Sequence, residues 1–252
     1  MILSLVNQKG GVGKTTTAVS LTAALTQKGK RVLLCDFDPQ ANATSGMGVG
    51  KNQDRASVYD VIVNDADPKA AIVHTKYGDI LPSGPDLAGA GIELVSLQRR
   101  EFRLKDALSQ VKADYDFILV DCPPSLELLT LNALCAADQV LIPVQCEYYA
   151  LEGLSDLVGT LRAVKRAYQP NIAIFGLLLT MYDGRTNLSM QVAQEVRRHF
   201  PGKVFKTVIP RNVRLSEAPS HGVPITVYDR LSRGAESYLQ LAEEVIAKAA
   251  KL

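Results

Sequence analysis

Four cysteines, Cys35, Cys122, Cys135 and Cys146, are all that this chain of 252 residues holds, and no two form a C-x-x-C pair or a zinc spacing. Most sit in apolar runs, so they read as buried, reduced thiols. The three histidines, His74, His199 and His221, are scattered, which excludes a metal cluster built on histidine. The longest apolar run, "IAIFGLLLTM", falls well short of the ~20 residues a membrane span requires. The N-terminal "MILSLVNQ" has no basic leader and no cleavage site, so no signal peptide is expected. There is no internal repeat, no low-complexity segment and no linker rich in Pro, Gly or Ser. These absences predict one cytoplasmic domain over residues 1–252. A net charge of +2 is too small to announce a nucleic-acid binder by itself.

Apolar residues make up 47% of the chain and charged residues 21%, a mix that supports a sizeable core. Strand-like runs ("ILSLVN", "RVLLCD", "FILVD", "QVLIPVQ", "IAIFGLLLT", "VFKTVIP") alternate with helical ones. The helical runs include "TTAVSLTAALTQKGK", ended near Gly29, "SLELLTLNALCAA", "LEGLSDLVGTLRAVKRAY", "LSMQVAQEVRRHF" and "GAESYLQLAEEVIAKAAKL". This order predicts an α/β fold, a doubly wound and mostly parallel sheet buried on both faces. Residues from Gly46 to about Asp86 are expected to form short helices and loops on one edge.

"NQKGGVGKTTT" carries the chemistry. It has the G-K-[ST] ending of a phosphate-binding loop, with a strand before it and a helix after it. Counting back from Gly13, Lys14 and Thr15, the first glycine of the usual pattern falls on Gln8, and an extra lysine, Lys9, precedes Gly10 and Gly11. The backbone of Gly10, Gly11, Val12 and Gly13 can wrap a phosphate, and the helix N-terminus adds partial positive charge. Lys14 reaches the β/γ-phosphates, Thr15 ligates Mg²⁺ and Thr16 meets the α-phosphate. Two acidic motifs follow. "FILVDCPPS" ends a strand in Asp121, a Walker B acid that holds Mg²⁺ directly or through water. "CDFDPQANATSG" offers Asp36 and Asp38. Asp38, further out in the loop, is the better candidate to position attacking water near the γ-phosphate and to join the metal site.

Together, "QKGGVGKTTTAVSL", "VLLCDFDPQANATSG", "FILVDCPPS" and "IPRNVRLSEAPSHG" resemble the ParA/Soj family of DNA-partitioning ATPases over essentially the whole chain. The loop alone marks the wider deviant-Walker class. The resemblance implies that Lys9 is the signature lysine, which crosses a dimer interface to the phosphates of the partner's ATP. It implies that Lys9, Lys14 and Asp38 serve catalysis, that Pro210 and Asn212 contact adenine, and that Gly10 lies where two subunits approach. It also implies ATP/ADP and Mg²⁺ as cofactors and an ATP homodimer that reverts to a monomer with ADP or no nucleotide. Non-specific double-stranded DNA and a ParB-type centromere-binding protein follow as partners, with location on the nucleoid and no membrane. The chain starts at its first strand, so the N-terminal helix-turn-helix of some relatives is not expected.

The charge distribution is uneven. Residues 1–150 carry 14 Lys and Arg against 17 Asp and Glu, and residues 151–252 carry 14 against 9. Between Arg185 and Arg214 there are seven basic residues and one acid, Glu195. Such density tracks phosphates without reading bases. The candidates for DNA contact are Arg185 and Arg214 first, then Lys203, Arg197 and Arg198. Three rival functions share the loop. A MinD-like membrane switch needs a C-terminal amphipathic membrane helix, an iron–sulfur reductase needs bridging cysteines, and a metabolic ligase of the dethiobiotin type needs a substrate pocket.

Overall fold

The computed structural model describes residues 1–51 and 55–252; residues 52–54, inside the segment expected to hold short helices and loops, lie outside the described residues. In chain order the strands are β1 (Ile2–Leu5), β2 (Val32–Asp36), β3 (Asp79–Leu81), β4 (Phe117–Asp121), β5 (Gln139–Gln145) and β6 (Ala173–Thr180). They form one sheet in the order β3-β2-β4-β1-β5-β6, with every pairing parallel.

The helices are α1 (Lys14–Gln27), α2 (Asn42–Gly46), α3 (Val58–Val63), α4 (Pro68–Ala71), α5 (Leu87–Glu93) and α6 (Arg103–Ser109). They continue with α7 (Leu128–Ala136), α8 (Ala150–Ala167), α9 (Asn187–His199), α10 (Val213–Glu217), α11 (Ile225–Tyr228) and α12 (Arg233–Ala249). Alternation along the strands sorts their side chains into two cores. Ile2, Leu33 and Cys35 join Val58, Leu104, Leu134, Leu157 and Val196 on one face. Leu3, Leu5, Val32 and Leu34 join Leu21, Leu25, Tyr238, Leu241 and Val245 on the other. Helices therefore cover both faces, which is why the strands are apolar throughout.

Two expectations need correction. "VFKTVIP" is not a strand: it runs beside β6 without a continuous ladder, paired at isolated bridges, Leu177 with Val204 and Tyr182 with Pro210, and by the Ile209 N–H donating to the Leu179 carbonyl (2.9 Å). Glu244 of α12 captures the N–H groups of Lys206 and Thr207, at 2.8 and 3.1 Å, and draws the middle of the segment off the ladder. Phe205 lies over Gly176, where even a Cβ would come within 2.4 Å of its ring. The edge segment also holds a strand that was not expected, β3, beside the short helices α3 and α4.

β1 sits between β4 and β5, whereas the chain leaves it for β2, on the far side of β4. The carboxyl ends of β1, β2 and β4 thus open at a switch point in strand order, where open α/β sheets bind ligands. The loops that leave these three ends carry the three motifs.

Candidate functional site

The phosphate loop is held from three sides. Asn7, at the exit from β1, donates from Nδ2 to the Pro143 carbonyl (2.8 Å), and its Oδ1 accepts the Lys9 N–H (3.0 Å). Thr180, the last residue of β6, donates to the Val12 carbonyl (2.8 Å). Gly11 and Gly13 take left-handed φ of 73° and 90°, which favours glycine at both. Gly13 precedes α1, and no side chain caps that helix. Its first-turn N–H groups are left for a ligand, and the aligned peptide dipoles favour an anion there.

The two loop lysines differ in environment. Lys14 is only 6% exposed, and its Nζ donates to the carbonyls of Asn7 (3.0 Å) and Lys9 (3.1 Å), so it lies curled inside the loop. Burial lowers its pKa, and the nearby Asp121 and Asp38 carboxylates push it back up. Lys9 is on the rim, 43% exposed, with Nζ 2.7 Å from Glu147 Oε2. Gly10 is exposed beside it. A Cβ there would meet only Pro124 Cβ, at 3.9 Å, and the backbone is not left-handed. Nothing within one chain requires glycine at this position.

The three acids gather under the loop. Asp36 and Asp121 are directly paired in register on β2 and β4. Asp36 is fully buried and occupied: Oδ2 accepts from the Thr44 N–H and hydroxyl, both at 2.7 Å, and Oδ1 accepts from the Asp38 N–H at 3.3 Å. Desolvation, aided by Asp38, raises its pKa to about 6 against the pull of these bonds. It works as a brace that fixes the loop bearing Asp38. Asp38 is also buried, 8% exposed, with Oδ1 accepting from the Gln40 N–H (3.0 Å) and its carbonyl accepting from Ser83 (2.8 Å).

Asp121 differs from both. It is wholly buried, and among the described residues neither carboxylate oxygen has a hydrogen-bond partner. Burial first, then Asp36 and Asp38, push its pKa well up, while the Thr15 hydroxyl and Lys14 pull it down without closing a hydrogen bond of good geometry. An ionised carboxylate in this position calls for a compensating cation. A divalent ion held by Asp121 and the Thr15 hydroxyl fits that need, and Mg²⁺ suits a set of hard oxygen donors that leaves room for water and phosphate.

Pro210 and Asn212 lie beside this site in different ways. Asn212 lines a cavity of about 240 Å³ with Gly13, Thr16, Thr180 and Met181. Its Oδ1 caps α10 by accepting the Arg214 N–H (2.9 Å), so the amide nitrogen is the end left for a base. Pro210 does not line that cavity; it pairs with Tyr182 at the edge of the sheet. The segment after Asn212 is locked to the one after Asp38, because a Cβ at Gly48 would meet the Gly222 carbonyl at 2.8 Å.

The basic cluster divides. Arg185, in the loop after β6, and Arg214, in the first turn of α10, flank the nucleotide end of β6, and the Tyr182–Pro210 pairing ties the two segments together. Lys203 donates to the Ile174 carbonyl (3.1 Å) near the start of β6, and Arg197 and Arg198 close α9 on the way there. The two groups lie toward opposite ends of the strand. Acids just outside the sequence window also pair with the arginines: Asp183 with Arg185 (2.8 Å), and Glu217 (2.9 Å) and Asp229 (3.4 Å) with Arg214.

Sequence reasoning missed Asn7, Thr180 and Glu147, which have no motif of their own, and it did not see that Asp36 is a brace. For the rival functions, no helix is long and apolar enough to cross a membrane among the described residues. The apolar face of α12, with Tyr238, Leu241 and Val245, is buried in the core instead of being offered to a surface. All four cysteines are free and buried.

Comparison with known proteins agrees with this geometry. A family described as "AAA domain" matches residues 1–174. The chain is 60% identical to the sporulation initiation inhibitor protein Soj of Bacillus subtilis, over 98% of each chain. It is 52% identical to the chromosome partitioning protein ParA of Myxococcus xanthus, over 98% of this chain and 88% of that one. Among solved structures it is similar to one described as cobyrinic acid a,c-diamide synthase from Mycobacterium smegmatis with bound ADP and magnesium. That match has a TM-score of 0.85 and 39% identity, over 97% of this chain and 93% of that one. With these full-length likenesses and the deviant phosphate loop in place at the switch point, the chain belongs to the ParA/Soj family of P-loop ATPases.

Proposed function

We propose that this chain is an ATP-driven dimerisation switch that acts in chromosome or plasmid segregation, with residues 1–252 working as one domain. The observation that carries the reading is the contrast between the two loop lysines. Lys14 is buried and turned inward, where one chain's phosphates would lie, and Lys9 is exposed on the rim, paired with Glu147. A lysine on the rim, beside a glycine with open space around it, suits phosphates presented by a second copy. ATP then binds the dimer better than the monomer, and that differential affinity drives the switch.

Within the site, Lys14 would hold the β/γ-phosphates, and Thr15, Asp121 and Asp38 would hold Mg²⁺. Bound Mg²⁺ supplies charge neutralisation at the phosphate oxygens. Asp38, kept in place by Asp36, Thr44 and Ser83, orients the attacking water, and Asn212 meets the adenine. The dimer binds double-stranded DNA without sequence preference, through Arg185 and Arg214 in the first place. A ParB-type partner stimulates hydrolysis and releases the dimer, so the protein cycles on and off the nucleoid in the cytoplasm.

Size-exclusion chromatography with ATP, ADP or no nucleotide, with and without DNA, tests this reading. A dimer retained on DNA only with ATP is expected, and a monomer under every condition refutes it. One observation favours a second reading, a metabolic ligase: a cavity of about 420 Å³ opens beside Thr15 and Thr16, walled by Asn42, Leu215, Pro219 and Pro224. An ATPase of that kind shows no ATP-dependent retention on DNA.

A further inference from the structure

Glu147 is the group that holds Lys9 in the isolated chain. It sits in the turn between β5 and α8, where its carbonyl accepts the Ala150 N–H (3.0 Å) and its N–H donates to the Gln145 carbonyl (2.8 Å). Oε1 accepts from Gln145 Nε2, which orients the carboxylate, and Oε2 takes Lys9 Nζ at 2.7 Å. β5 lies beside β1 in the sheet, so this turn comes up next to the phosphate loop, although 138 residues separate Lys9 from Glu147. The Lys9 carbonyl in turn accepts from Lys14. An anion that draws Lys14 away therefore loosens the residue whose side chain Glu147 restrains.

We propose that Glu147 is a positioning residue that pins Lys9 to its own chain and so sets how readily the ATP dimer forms. The inference rests on the dimerisation reading above. A lysine cannot pair with Glu147 and reach across to phosphates on a second subunit in the same geometry, so each subunit breaks this ion pair on dimerisation. An exposed pair of this kind shifts an equilibrium by roughly 1.5- to 5-fold. A symmetric dimer breaks it twice, so its removal tightens the dimer by roughly 2- to 25-fold. Tyr148 and Tyr149, next in sequence, stand 77% and 65% exposed, so the turn is open to an approaching subunit.

The test compares the full chain with Glu147→Gln in two measurements. The first is the acylation rate of each lysine in nucleotide-free protein, read by mass spectrometry. Lys9 should label roughly 1.5- to 5-fold faster in the variant, with the other lysines unchanged. The second is the dimer dissociation constant by sedimentation with Mg²⁺ and a non-hydrolysable ATP analogue, which should fall roughly 2- to 25-fold. Glu147→Asp, which keeps the charge but shortens its reach, should fall between parent and Gln in both. Unchanged Lys9 labelling overturns the proposal, because no restraint then exists. Faster labelling with an unchanged dimer constant also overturns it, because the restraint then controls nothing. A parent that stays monomeric with the analogue refutes the dimerisation reading itself, which separates that failure from the other two.

Discussion

Replacing Asp121 with Asn should make the nucleotide-free protein more stable and at the same time unable to use Mg²⁺. Asp121 has no exposed surface and two carboxylate oxygens without a hydrogen-bond partner among the described residues. A buried polar group left unsatisfied costs about 1–3 kcal/mol, and more when it is charged. Asn keeps the shape and removes the charge, so a gain of about 1–3 kcal/mol is expected near pH 8. For a domain of this size that is roughly 2–12 °C in Tm. The gain should depend on pH in a defined direction. The folded-state pKa of Asp121 lies well above its ordinary value of 3.8. The parent's penalty is therefore full above the folded pKa, shrinks as the pH falls through it, and is gone only well below the unfolded pKa, at about pH 3 and lower, where folded and unfolded chains are both protonated. Calorimetry or urea titration of both proteins at pH 8 and pH 5 reads the difference, and Mg²⁺ with nucleotide should stabilise the parent far more than the variant. A variant less stable than the parent at pH 8 would mean that the carboxylate is already satisfied inside the chain, and the cation site would lose its physical basis.

Lys14→Ala should abolish nucleotide binding in a calorimetric titration, since it removes the ammonium curled inside the loop that would meet the phosphates. Asp38→Ala should bind ATP and stop phosphate release, leaving a dimer locked on DNA; normal turnover would pass the water-orienting role to another acid. Gly10→Val should fold with a stability within about 1 kcal/mol of the parent, because its Cβ meets nothing nearer than 3.9 Å and the backbone is not left-handed. It should still stay monomeric with ATP, and a normal dimer in sedimentation would show that position 10 faces away from the second subunit. Arg185→Ala should weaken binding to every duplex equally and lower the salt slope of log K by about 0.9 per contact, or about 2 in a symmetric dimer. An unchanged slope would leave Arg185 as the surface partner of Asp183.

How much of this was legible in the sequence follows from the range over which each feature is decided. β1, the loop glycines and α1 are adjacent in the chain, so a strand–loop–helix pattern defines them together, and the structure places them as that pattern predicts. Asp121 was found because it ends an apolar strand. That it would be wholly enclosed and unpaired depends on β2, α1 and the Asp38 loop closing around it, which no local pattern records. Asp36 and Asp38 look equivalent at two residues' spacing. They are told apart by Thr44, which occupies Asp36 through both its N–H and its hydroxyl, whereas the Asp38 carboxylate takes only the nearby Gln40 N–H. "VFKTVIP" has the composition of a strand, but a strand also needs an unbroken ladder, and Glu244, 37 and 38 residues further on, takes the N–H groups of its middle. The seven-to-one basic window is a property of a line of sequence. Folded, α9 and β6 carry its members to opposite ends, and Asp183, Glu217 and Asp229 enter from outside the window to pair with its two arginines nearest the site. Lys9 shows the same limit at the centre of the molecule. Its place before Gly10 marks it as unusual, but what restrains it is a glutamate in the turn after β5, and only the parallel pairing of β1 with β5 puts that carboxylate within reach.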